Sequence, residues 1–129
     1  MADYQPIFLE GPYTLQASAT ITAGQLLVIT GAGTVGPAGA NAANWVGVAA
    51  FDAVSGDKVT VFDDGVQNLV ASGSVAAGDL VVAAANGQVS TLAAVTTPTA
   101  ADVTNSRAIV GVAWSAATNG NKVRIQLAR

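Results

Sequence analysis

Gly31-Ala32-Gly33-Thr34-Val35-Gly36 spells the G-x-G-x-x-G pattern that brings backbone amides against a dinucleotide pyrophosphate, and Asp52 follows at about 20 residues. That chemistry requires the last glycines to open a helix whose N-terminus holds the phosphates. Pro37, Gly39 and the Ala-Asn stretch up to Asn44 offer neither a helical run nor a βαβ unit, so a glycine loop is the expectation. Asp63 and Asp64 form an adjacent carboxylate pair of the kind used in acid-base or metal chemistry. Neighbours on a strand point to opposite faces, however, and Asp-Asp-Gly65 has the composition of a tight turn. Glu10, Asp52, Asp57, Asp79 and Asp102 are scattered, and none has the spacing of a calcium loop. A calcium site assembled from distant loops is the alternative left open; otherwise no metal and no cofactor are expected.

Ser and Thr are plentiful, but a hydroxyl nucleophile needs a base. The chain has no His and no Cys, which removes the commonest base, disulfides and thiolate metal sites together. Ser-Lys and N-terminal Thr arrangements have no recognisable context here. Lys58 and Lys122 stand at equivalent places of an internal repeat, which suggests structural or surface positions. No catalytic residue is expected, and the chain is not read as an enzyme.

Charged residues make up 10% of the 129, far below the roughly 25% usual for soluble domains. Either the protein packs tightly through small residues, or other subunits cover much of its surface. A net charge of -3, with Lys58, Arg107, Lys122, Arg124 and Arg129 forming no run, argues against a nucleic-acid partner. No apolar stretch approaches the length of a membrane span, and Met1-Ala2-Asp3-Tyr4-Gln5 lacks the basic and apolar regions of a signal peptide. No membrane partner is expected, and synthesis in the cytoplasm is.

The elements that would position these residues come in two copies. Val46-Gly47-Val48-Ala49 and Gly56-Asp57-Lys58-Val59-Thr60-Val61 return, shifted by 64 residues, as Val110-Gly111-Val112-Ala113 and Gly120-Asn121-Lys122-Val123-Arg124-Ile125. Upstream, residues 21–28 and 75–82 match at a shift of 54, so the second copy carries ten extra residues, placed between Ala93 and Arg107. The repeat spans about 17–62 and 71–126, which suits a duplicated β module within one domain rather than a solenoid.

Alternation and turn residues predict about ten short strands, hence a sandwich or barrel. They fall at 13–21, 25–30, 45–51, 58–63, 66–71 as the hairpin partner of 58–63, 79–84, 88–92, 108–114 and 122–128. Residues 31–44 read as loop, and Asn86-Gly87 as the strongest hairpin turn. Thr97 as cap and Pro98 as first residue predict a short helix in the insert. Trp45 and Trp114 enter the two Val-Gly-Val-Ala strands from opposite ends; burial in the core is the simpler expectation, an interface the other. Residues 1–13 stand outside the repeat, and Pro6 and Pro12 make them an extended arm that packs on its own domain or reaches another chain.

These blocks together resemble the phage capsid decoration, or head cement, proteins of the lambda-type head-decoration class. The shared pattern is apolar-x-Ala-Gly-Asp/Gln-Leu-Val, then Val-Gly-Val-Ala and Gly-x-Lys-Val-x-apolar, twice, over roughly residues 14–128. The resemblance implies an all-β, small β-clip or barrel-like domain (14–129) with an extended N-terminal arm (1–13). It implies a homotrimer at three-fold and quasi-three-fold positions on the outer surface of the capsid, bound to the major capsid protein after the shell expands. By position, the capsid-binding arm would comprise Asp3, Tyr4, Gln5, Pro6, Ile7, Phe8 and Leu9. The alternative is a phage tail or fibre domain or a small β carbohydrate-binding module. Such binders usually present several exposed aromatics, whereas this chain has seven in all, three of them in the arm.

Overall fold

Period-two alternation builds the strands. In Lys122–Leu127 the apolar Val123, Ile125 and Leu127 are buried while Lys122, Arg124 and Gln126 face out, and Lys58–Phe62 buries Val59 and Val61 in the same way. The computed structural model describes residues 12–128. In that span lie β1 (Tyr13–Ala17), β2 (Leu26–Gly31), β3 (Thr34–Pro37), β4 (Trp45–Ala49), β5 (Lys58–Phe62), β6 (Val66–Val70), β7 (Leu80–Ala84), β8 (Gln88–Thr91), β9 (Ile109–Ala113) and β10 (Lys122–Leu127), with one α-helix, α1 (Ala100–Asn105).

The first five strands close a barrel in the order β1-β3-β2-β4-β5, with β1 antiparallel to β5 and parallel to β3. The other five form a sheet in the order β6-β10-β9-β7-β8, the same succession of equivalent strands. Its two ends approach through a parallel Ala71–Val89 bridge, where the Ser72 amide donates to the Val89 carbonyl at 2.7 Å. The Ser18 amide donates likewise to Val35 at 2.9 Å in the first barrel. The copies agree in register down to an irregularity. Leu26, Leu27 and Val28 face Val48, Gly47 and Trp45, while Leu80, Val81 and Val82 face Val112, Gly111 and Ile109, each with a shift after the second pair. A bulge bends and twists its strand, which a barrel of such short strands needs in order to close.

The repeated glycines permit the closest backbone approach. A Cβ on Gly47 would strike the carbonyl oxygen of Phe62, and one on Gly111 the carbonyl oxygen of Gln126, the repeat counterpart of Phe62.

Two apolar clusters fill the molecule. Leu27, Val35, Ala49, Val59 and Val61 belong to the interior of the first barrel. The outward side chains of the same strands, Leu26, Val28, Trp45 and Val48, join the interior of the second module, with Val81, Val89, Val123 and Ile125. This is why β2 is apolar on both faces. Trp45 is fully buried at the joint, and its indole N–H donates to the carbonyl of Ile109 at 3.1 Å.

The structure corrects the sequence reading in five places. Residues 34–37, expected as loop, form β3, the counterpart of β8 at the shift of 54. The first strand ends at Ala17 instead of residue 21; Ile21 makes only an isolated bridge to Ala53. β6 does not pair with β5. Both edges of β5 are taken by β1 and β4, so the 63–65 turn passes the chain to the second module, where β6 pairs with β10. The helix cap is Thr99 rather than Thr97. Its hydroxyl accepts from the Asp102 amide and the Asp102 carboxylate accepts from the Thr99 amide, a reciprocal pair that fixes the helix start two residues later. Trp114 lies exposed on the surface rather than in the core. The Asn86-Gly87 hairpin turn forms as expected, both residues having positive φ, 60° and 68°.

The Thr99 cap yields a local prediction. Thr99→Ala is expected to cost about 1 kcal/mol in α1, seen as faster amide exchange over 100–105 with an unchanged global unfolding midpoint, because α1 buries no side chain.

Candidate functional site

The residues singled out for chemistry are dispersed into turns. Gly31 to Gly36 bend β2 into β3, with Gly33 at φ 73° and Gly36 packed against Thr30 and Ser18. A hairpin follows the strand where a dinucleotide site needs a helix, so this glycine pattern cradles no pyrophosphate. The aspartates hold loops. Asp52 accepts from the Ala23 amide at 2.8 Å and Asp57 from the Val54 amide at 3.2 Å. Asp79 accepts from the Ala76 amide and the Thr91 hydroxyl, both at 3.0 Å. Asp63 and Asp64 sit in the crossing between modules, where the Asp64 carbonyl accepts from Gln67 Nε2 at 3.0 Å. Among the described residues, no three acidic, His or Cys side chains gather as metal ligands, and the calcium alternative finds no cluster there.

The two modules carry equivalent grooves at one end. In the first, Thr20, Ile21, Thr22, Asp52, Ala53, Val54 and Asp57 line about 300 Å3. In the second, the counterparts Ser74, Val75, Ala76, Ala116, Ala117, Thr118 and Asn121, with Asp79, Thr91 and Lys122, line about 630 Å3. The larger groove contains hydroxyls, one carboxylate and one ammonium group. The carboxylate already holds Thr91 and a backbone amide, so it does not present a free base to a nucleophile. Lys58 and Lys122 are both exposed at matched positions, opposite Gln16 and Val70.

What the molecule does present is apolar surface. Leu80, Val112 and Trp114 lie on one side of the second sheet; Leu80 faces Val112 across β7 and β9, and Trp114 follows Val112 by two residues. The Trp114 indole N–H donates to Gln126 Oε1 at 3.2 Å. Sequence reasoning treated the two tryptophans alike. The discriminating signal lay in the repeat itself, since Trp45 stands where the other copy has the large apolar Ile109, whereas Trp114 stands where it has the small Ala50. The seven arm residues Asp3, Tyr4, Gln5, Pro6, Ile7, Phe8 and Leu9 lie outside the described residues.

A closed β-barrel joined to a matching five-stranded sheet, with its carboxylates engaged in turns and an apolar sheet face exposed, defines a small all-β protein. Comparison with known proteins places the chain more narrowly. It belongs to the phage cement protein family, whose model matches residues 10–128, and is thus a structural protein of the phage head. No curated protein matches it. Among solved structures, the head fiber gp8.5 N base of bacteriophage phi29 superposes with a TM-score of 0.65 at 18% identity, covering 90% of this chain and 92% of that one. At that identity the likeness is one of fold.

Proposed function

We propose that the protein binds the outside of the phage head and stabilises the expanded shell by bridging neighbouring major capsid protein subunits, in a structural and not a catalytic role. The observation that carries this reading is the cement-family match over both modules, residues 10–128. The low charge and the exposed apolar face on β7 and β9 support it, because both suit broad packing against protein. In this reading the protein is made in the host cytoplasm and acts as a homotrimer at three-fold and quasi-three-fold positions. The lambda-type resemblance further assigns the capsid contact to the arm, Asp3 to Leu9, ahead of a 14–129 domain. An extended segment of this kind can add backbone hydrogen bonds to a sheet edge of the coat, and three arms on one trimer act together through effective concentration.

The test is cosedimentation with expanded shells stripped of decoration. The intact chain is expected to saturate three-fold sites, and deletion of residues 1–9 to weaken binding about tenfold or more, the equivalent of one or two hydrogen bonds lost per arm. Failure of the intact chain to bind sinks the capsid reading. Occupancy at a few sites in place of the three-fold positions favours a fibre base.

A further inference from the structure

Within the chain, the first module offers Leu26 and Val48 to the second and both are buried there. Their counterparts, the same residue types paired in the same register, are Leu80 and Val112, and these are 46% and 36% exposed. The receiving side shows the reverse asymmetry. Ala83 and Gly87 of the second module are buried beneath the first, where Asn41 N–H donates to the Ala83 carbonyl at 2.8 Å and Gln25 Nε2 to the Asn86 carbonyl at 3.0 Å. The counterpart of Ala83 is Ile29, 39% exposed, and the turn at residues 31–33 beside it is open. The joint between the modules therefore uses one donor face and one receiving face, and leaves the other of each kind bare at opposite modules.

We propose that a second copy of this chain covers them, with Leu80, Val112 and Trp114 of one copy docked on Ile29 and the 31–33 turn of the next. This continues between chains the contact already made within the chain, and it names the surface behind the self-association proposed above, on which it rests. Trp114 is 58% exposed on the donor face and held by its bond to Gln126, so it supplies an aromatic anchor where the internal joint uses Trp45. The insert bounds the donor face, since Val95, Asp102 and Asn105 line one cavity with the buried Val82 while Leu80 and Val112 stay exposed. The contact joins unlike faces, so it propagates head to tail and ends only by closing into a ring; closure after three copies gives the trimer.

The test exploits that asymmetry with Leu80→Arg and Ile29→Arg, both at exposed positions, after wild-type-like circular dichroism and a cooperative thermal melt, lowered only by the loss of association, show that each folds. Sedimentation equilibrium is expected to give a closed oligomer for the wild type and monomers for each variant alone. An equimolar mixture of the two variants is expected to give one-to-one dimers and nothing larger, because Leu80→Arg keeps its receiving face and Ile29→Arg its donor face. A monomeric wild type, a variant that still assembles, or a mixture that stays monomeric overturns the inference. An interface of like faces is excluded by the same mixture, since it produces no capped heterodimer. Wild-type binding to stripped shells is scored separately. Shell binding with a failed mixing result overturns this inference alone, and a correct mixing result without shell binding overturns the capsid reading alone.

Discussion

Gly111→Ala is expected to lower stability by about 3 kcal/mol, near the upper end for inserting one carbon into a packed interior. The added Cβ would meet the carbonyl oxygen of Gln126. This neighbour is backbone in β10, the strand that pairs both β6 and β9, so it cannot swing away as a side chain would. Relief requires β9 and β10 to separate, which weakens the ladder between Gly111 and Leu127, Val112 and Gln126, and Ala113 and Ile125. Urea unfolding should show a lower midpoint with little change in slope. The matched control is Gly39→Ala. Among the described residues no atom lies within 4 Å of its added carbon, and its backbone angle suits any residue, so stability should rise by about 0.5 kcal/mol through the unfolded state. A Gly111→Ala protein as stable as the wild type contradicts the close approach of β9 and β10.

Trp45→Ala is expected to cost about 4 kcal/mol, as usual for removing a large buried aromatic. The loss falls at the joint between the modules, where the ring packs with residues of the second core and bonds to the Ile109 carbonyl. Trp45→Phe keeps most of the apolar contact and forfeits the N–H donor, so about 1 kcal/mol is expected. Fluorescence separates the two rings. In the monomeric Leu80→Arg background, where no neighbour covers Trp114, the spectrum should show one blue-shifted, quencher-protected component from Trp45 and one red-shifted, accessible component from Trp114. Trp45→Ala should remove the first and leave the second. Two equally accessible tryptophans in the folded wild type would contradict the burial of Trp45.

Much of the fold was legible because duplication writes the same pattern twice. The equal spacing of Val-Gly-Val-Ala and Gly-x-Lys-Val set β4 with β5 and β9 with β10, and strict alternation at Lys122–Leu127 marked an amphipathic strand. β3 was missed because its two β-branched residues, Thr34 and Val35, are hemmed in by the turn formers Gly33 and Gly36-Pro37. Applying the shift of 54 from Gln88–Thr91 would have placed it, since a structural equivalence outlasts local propensity. The pairing of β6 was misjudged for a different reason. Asp-Gly signals a reversal of direction, but only the occupancy of the edges of β5 decides which strand lies beyond it. The surface was less legible still. Leu26 and Leu80 are the same residue in the same register, one buried and one bare, and that difference is set by which neighbour remains to cover them.

The crossing at residues 63–65 also sets an order in time. Every strand of the first barrel precedes it, since β5 completes the ring by pairing with β1, so that barrel can close while the ribosome is still making the rest. The second module cannot do the same, because its first strand, β6, pairs with its last, β10. Translation of residues 66–127 takes roughly 3 to 12 seconds at usual elongation rates. For that interval the nascent chain holds a folded barrel whose Leu26, Trp45 and Val48 lack their cover, which makes this face the point where chaperones or neighbouring nascent chains compete with the unborn half of the protein.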